Sequence, residues 1–174
     1  LHLCHHNLES IDTDKIDSGK ATHKLLAEVC YAANYEGESI EAYYTPYQNN
    51  NEGTASQLCT VLARSFADIG DIVRGKDLYI RNKKKDKLED NLKEIFKMIQ
   101  KNNEFKLGRL SLDQIREYWW EENREKIWKA ITCKAQGYKY FLPKCSKDTW
   151  SQDMCQCANA DVPTNFDYVP QYLR

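Results

Sequence analysis

Gln57-Leu58-Cys59-Thr60-Val61-Leu62-Ala63-Arg64-Ser65-Phe66-Ala67-Asp68-Ile69-Gly70 sets Leu58, Leu62, Phe66 and Ile69 at successive spacings of four, four and three residues. At about 3.6 residues per turn those side chains share one face of an α-helix, whereas a strand would alternate them. The run predicts a core helix that opens near Ser56 and stops at Gly70. Working outward, the same period recurs on both sides. From Thr22, Leu25, Leu26, Val29, Cys30 and Ala33 form a stripe that Glu36-Gly37 is expected to end. From about Asp86, Leu88, Leu92, Ile95, Phe96 and Ile99 form another, with lysines on the opposite face.

A fourth helix announces its own start. Ser111-Leu112-Asp113-Gln114 is a capping box, in which the Ser hydroxyl and the Gln side chain satisfy each other's free amide donors. The apolar face then continues through Ile115, Trp119, Ile127, Trp128 and Ile131. Between the helices lie a Tyr/Asn-rich loop (Tyr43 to Thr54), a Gly-containing turn (Gly70 to Asp77) and a basic stretch. After Cys133 the pattern turns irregular, and no alternating run is long enough to build a sheet. The expected class is mostly α: a disulfide-stapled helical bundle with long ordered loops.

With 174 residues the chain suits one domain and can bury a real core. Its 25 basic and 26 acidic residues leave a net charge of -1, which argues against a nucleic-acid partner, since such domains are strongly basic overall. Mean hydropathy is -0.75, and no stretch nears the roughly 18 apolar residues that span a bilayer. Leu1-His2-Leu3-Cys4-His5-His6 has neither the basic nor the apolar region of a signal peptide, and no Asn-x-Ser/Thr sequon occurs. Seven cysteines are many for a reduced compartment, and the odd number leaves one to pair elsewhere. That count reads as the mark of a fragment.

Candidate chemistry is sparse. Gly70-Asp71-Ile72-Val73-Arg74-Gly75-Lys76-Asp77 nearly matches a phosphate-binding loop, but a helical stripe precedes it where a strand is needed. Asp77 would also set a carboxylate against the phosphates in place of a magnesium-binding hydroxyl. A turn is the better reading. His2, His5 and His6 beside Cys4, or Cys155-Gln156-Cys157, are poor zinc sites, because structural zinc uses recurring C-x2-4-C pairs. Disulfides account for these cysteines better, and no metal, cofactor or catalytic residue is expected. Tyr118-Trp119-Trp120 and Trp128 form the heaviest aromatic cluster, read as core, with ligand stacking as the alternative. Arg81-Asn82-Lys83-Lys84-Lys85-Asp86-Lys87 carries five cations in seven positions. It is either a solvated stretch at the start of a helix or a site for a sulfated glycan or other anionic surface. Cations at a helix N-terminus oppose the macrodipole, which tilts slightly toward the second reading.

Set together, Leu25-Leu26-Ala27-Glu28-Val29-Cys30, the run from Gln57 to Ile72, Arg74-Gly75-Lys76-Asp77-Leu78-Tyr79, Tyr118-Trp119-Trp120-Glu121, Asn123-Arg124, Ile127 to Cys133 and the ending Val162-Pro163-Thr164 through Tyr172-Leu173-Arg174 closely resemble the Duffy-binding-like domains of malaria-parasite erythrocyte membrane protein 1. The alpha class fits best, and the resemblance covers nearly the whole chain. It implies that residues 1–20 end a first subdomain, that residues 21–174 form most of a second, a helical bundle, and that the third is absent. It implies no catalytic residue. The implied function is adhesion, in the extracellular part of a membrane protein on the infected erythrocyte. The implied partners are a host receptor (complement receptor 1 or another adhesion receptor), a heparan sulfate-like glycan, antibodies and neighbouring domains. Receptor contacts would then fall on the unmatched loops, with Arg81, Lys83, Lys84, Lys85 and Lys87 as candidate ligand-binding residues. The alternative is a structural, antigenic spacer. With the resemblance go the expected disulfides. Cys30 pairs with Cys133, Cys59 with Cys157 (or Cys155), and Cys145 with the remaining one (Cys155), while Cys4 is left without a partner in this chain.

Overall fold

A computed structural model describes residues 12, 17–48, 57–78, 83–140, 142 and 144–174, without the side chains of residues 18, 45–48 and 83–85. Its helices are α1 (Ala21–Gln48), α2 (Gln57–Arg74), α3 (Lys83–Asn102), the single turn α4 (Glu104–Leu107) and α5 (Leu112–Ile131). Short 3-10 turns punctuate the C-terminal segment, and no strand occurs among the described residues. The mostly α class is as the periodicity predicts. Leu25, Val29, Leu58, Leu62, Phe66, Leu92, Ile95, Phe96, Ile127 and Ile131 are all buried in one core.

α5 is the hub, packed on by α1, α2 and α3. It starts where the capping box places it. Gln114 N donates to Ser111 Oγ at 3.2 Å, and Ser111 N donates to Gln114 Oε1 at 2.9 Å. α2 runs antiparallel to α5, with Gly70 against Trp120 and Arg74 beside Glu117. α1 runs parallel to it, since Thr22 shares a cleft with Trp119 while Glu38 pairs with Lys134 at 3.6 Å. The three tryptophans of the aromatic cluster are core, while Tyr118 is exposed. Trp120 and Trp128 are buried and flank Phe66, with ring centroids 5.1 and 5.2 Å from it.

Two helices are longer than their sequence suggests. Glu36-Gly37 does not end α1, and Gly70 does not end α2. Both glycines sit inside helices because another chain segment passes too close for a side chain. A Cβ at Gly37 would lie 2.0 Å from the Ile131 carbonyl oxygen, and one at Gly70 would lie 2.8 Å from the Trp120 ring. α2 ends instead at Gly75, whose φ of 73° is the left-handed conformation glycine adopts freely. α1 likewise takes the start of the Tyr/Asn-rich segment into helix, as far as Gln48.

The disulfides follow the alternative for Cys59 and not the preferred pairing. Cys59 bonds Cys155, and Cys145 bonds Cys157, the reverse of Cys59–Cys157 and Cys145–Cys155. In an extended Cys-x-Cys the two side chains would share a side, but Met154 and Cys155 have φ of 62° and 55°, which turns the chain there. Cys155 is held inward, its N–H donating to Tyr138 O at 2.9 Å and its carbonyl accepting from Trp128 Nε1 at 3.1 Å. It therefore faces α2, while Cys157 faces the Cys145–Thr149 turn. Cys30 and Cys133, expected as a pair, are thiols. The Cys133 sulfur instead accepts from Asn34 Nδ2 at 2.7 Å, one helical turn beyond Cys30. Burial pushes the Cys30 thiol pKa up against a weaker pull from Lys126, so it stays protonated. Cys4 lies outside the described residues.

The C-terminus is fastened by charge. Arg174 donates to Asp68 Oδ1 at 2.7 Å and pairs with Asp71 Oδ2, and Arg74 reaches Asp71 Oδ1 at 3.2 Å. Burial pushes the Asp71 carboxyl up to about 6, outweighing the pull of Arg174 and Arg74, with Asp68 adding a like charge. Asp68 is raised as well, by burial first, with Asp77 repelling and Arg174 opposing. Glu117 completes the charged surroundings through Arg74. A carboxyl whose folded pKa exceeds its unfolded value of about 3.9 binds protons more tightly when folded. Its contribution is therefore complete below that value and lost as pH rises through about 6. Relative to Asp71→Asn, the wild-type chain should gain about 1 kcal/mol, after allowance for screening, between about pH 7.5 and pH 5. Thermal melts should show this as roughly 2–4 °C. A gap that is constant, or that widens the other way, rejects the assignment.

Candidate functional site

α3 carries the basic stretch at its start. Lys83, Lys84 and Lys85 lie in its first turn with their side chains outside the description, and Arg81 lies outside the described residues. Lys87 is exposed and has no ion-pair partner among the described residues. The stretch is thus helical from Lys83 onward, not a loop leading to a helix at Asp86. Its backbone amides and its cations repel each other, and Asp86 is the one acid in that turn. Farther along, two of the three acids are occupied. Glu89 takes a bidentate pair of bonds from Arg116 at 2.7 and 3.0 Å, and Glu94 pairs with Lys97 at 2.7 Å. The inner face of α3, through Leu88, Leu92, Ile95 and Phe96, is buried in the core and fixes the helix on α5.

The Gly70 to Asp77 segment is the carboxyl end of a helix. Arg74 folds back to Gly70 O at 3.0 Å and to Asp167 O, while Asp77 accepts from Gln171 Nε2 at 3.1 Å. Carbonyls and carboxylates point where a phosphate would need amides, so it is a structural turn. The histidines near Cys4 lie outside the described residues, and Cys155 and Cys157 are consumed by disulfides.

Periodicity missed the exposed aromatics, because it sorts residues by what must be inside. Tyr31, Tyr35 and Tyr43 are exposed on α1, Phe105 stands fully exposed on α4, and Tyr118 and Trp150 are more than half exposed. The signal available was their place off the apolar stripes. Tyr118 lies beside two buried tryptophans yet points outward, as the 100° step per residue allows. No helix among the described residues is long and apolar enough to cross a membrane.

The Duffy binding domain family matches residues 1–174. Among solved structures, the NTS-DBL1(alpha-1) domain of Plasmodium falciparum membrane protein 1 (PfEMP1) from the varO strain is 40% identical. It superposes with a TM-score of 0.81 over 99% of this chain and 40% of that one. The ICAM-1-binding DBLbeta domain of PfEMP1 IT4var13 is 29% identical, with a TM-score of 0.77 over 99% and 39%. A further PfEMP1 DBLb domain, solved bound to human ICAM-1, is 28% identical with a TM-score of 0.70 over 85% and 34%. No curated protein sequence matches. The chain spans about two fifths of the length of the first two of these solved domains. With the family matched from end to end and the same helical bundle found in these domains, the chain belongs to the Duffy binding domain family and has the fold of the PfEMP1 Duffy-binding-like domains.

Proposed function

We propose that this chain is part of a non-enzymatic host-receptor-binding module, in the extracellular region of a variant antigen on the infected erythrocyte. The supporting observation is family membership together with the binding of ICAM-1 by similar domains. The higher identity to the alpha-1 domain than to the DBLbeta domains favours an alpha-class assignment. In that reading residues 1–20 close a first subdomain and residues 21–174 form most of the second.

The basic start of α3 is the contact surface in this proposal. Arg81, Lys83, Lys84, Lys85 and Lys87 put five cations within seven positions of sequence, and Lys87 is exposed with no acid bound to it among the described residues. Several cations held together displace counterions from a polyanion, so a heparan sulfate-like chain is the ligand class they suit, alone or on a receptor such as complement receptor 1. The expected result is retention on immobilised heparin that falls steeply with salt. Changing Lys83, Lys84, Lys85 and Lys87 to Glu should abolish it without lowering the melting temperature, since acids suit a helix N-terminus better than cations do. Unchanged retention rejects this surface. If the complete domain binds neither cells nor glycans, the spacer reading, in which the module displays its neighbours to antibodies, takes over.

A further inference from the structure

At the far end of α3 the chain makes a corner with α4 and α5. A cleft of ≈ 320 Å³ opens there, its apolar walls formed by Ile99, Leu107, Ile115 and Trp119. An apolar cavity of about 150 Å³ holds a benzene ring, so this cleft has room for an aromatic side chain. Trp119 is only 5% exposed, and its Nε1 is the buried side-chain polar atom left without a hydrogen-bond partner among the described residues. The other two buried tryptophans are satisfied, Trp120 by Asp167 and Trp128 by the Cys155 carbonyl.

The same corner also carries an unmatched knob. Phe105, on α4, is fully exposed, and its neighbours Lys106 and Leu107 both line the cleft. Exposed single apolar side chains are common, but an aromatic beside a ready apolar cavity is the composition of an interface centre. The surrounding charges select the occupant. Lys106 and Glu122, both exposed, line the cleft itself, and the exposed Lys101, Glu104, Arg109 and Asp113 are near its lining residues in sequence. One cation and one acid on the same cleft can complement their own copies across a two-fold contact. An acidic or a basic partner would meet as much repulsion as attraction, but a second copy of the patch can set each cation against an acid.

We propose that this corner is a self-association surface, in which Phe105 of one copy fills the cleft beside Trp119 of another. One aromatic plug and a polar rim give a weak contact, formed at high local concentration, as when many copies are held on one membrane. This goes beyond the adhesion reading and uses none of the residues at the start of α3.

Sedimentation of the full chain should show an average mass that climbs with protein concentration. Phe105→Ala should weaken that association at least tenfold, and Lys106→Glu severalfold. Because both side chains are exposed, neither change should alter the thermal melt. The cleft is then tested separately from the knob. In a nitrogen-15-labelled Phe105→Ala chain, whose cleft is intact, the Trp119 indole N–H resonance should shift when unlabelled wild-type chain is added. It should stay fixed when unlabelled Phe105→Ala chain is added, and the Trp120 and Trp128 resonances should stay fixed in both cases. A chain that remains a monomer at every concentration overturns the proposal. So does association that survives Phe105→Ala, or a Trp119 shift that the Phe105→Ala chain also produces. None of these outcomes depends on heparin or a receptor, so failure here leaves the adhesion reading intact, and the reverse holds too.

Discussion

Gly37→Ala should lower the melting temperature by about 6–12 °C, the equivalent of about 3 kcal/mol or more for a chain of this size. Helix propensity alone gives the opposite sign, because Ala in a helix interior is favoured over Gly by up to about 1 kcal/mol. The packing decides. The new methyl would lie 2.0 Å from the Ile131 carbonyl oxygen and 2.9 Å from its carbon, and both atoms are backbone. No side chain can swing aside, so α1 must move off α5 along their shared seam. Gly19→Ala is the matched control, since its Cβ would meet only the Asp17 carboxylate at 3.5 Å, and it should shift the melt by little. Circular dichroism melts of the two variants decide the matter. A stabilised Gly37→Ala chain would mean that α1 and α5 do not approach as described.

The same glycine shows where the sequence was legible and where it was not. Apolar spacing marked the inward faces of α1, α2, α3 and α5, because burial imposes the helical period on residue type wherever a helix meets a core. The Ser111–Gln114 box fixed the start of α5 because both of its bonds are local. Gly37 and Gly70 misled for the same reason in reverse. A glycine that ends a helix and a glycine that lets another helix approach look alike in one dimension, and only the position of Ile131 or Trp120 separates them. The cysteines pose the same difficulty. Their number pointed to disulfides, but choosing Cys155 over Cys157 depends on backbone turns at Met154 and Cys155 that no spacing rule contains. Of the candidate contact surface, the cationic residues could be read directly, and their helical setting could not. The Phe105 knob and its cleft were invisible, because they join residues from four helices and leave no periodic trace.

The largest polar effect should come from Asp167→Ala, with about 3–5 kcal/mol lost and partial loosening of the C-terminal segment. Asp167 is buried, and its carboxylate gathers three donors: Trp120 Nε1 at 2.8 Å, Arg124 Nε at 2.7 Å and Arg124 Nη2 at 2.8 Å. Removing it strands a largely covered guanidinium and a core indole N–H, and an unpaired buried group costs more than the pair contributed. The backbone matters here as well, since the Asp167 carbonyl accepts from Arg74, which in turn touches Asp71. One short turn, Phe166–Tyr168, therefore ties α2 to α5 through charge beside the core rings of Phe66 and Trp120. Asp167→Asn keeps the shape and one acceptor oxygen, so it should cost about half as much. Hydrogen exchange should report the difference locally. In Asp167→Ala, amides of residues 161–174 should exchange faster before the amides of α3 do, because α3 is anchored separately through Arg116 and Glu89. Equal loss of protection in both regions would show that the turn is no separate fastening and that the bundle opens as one unit.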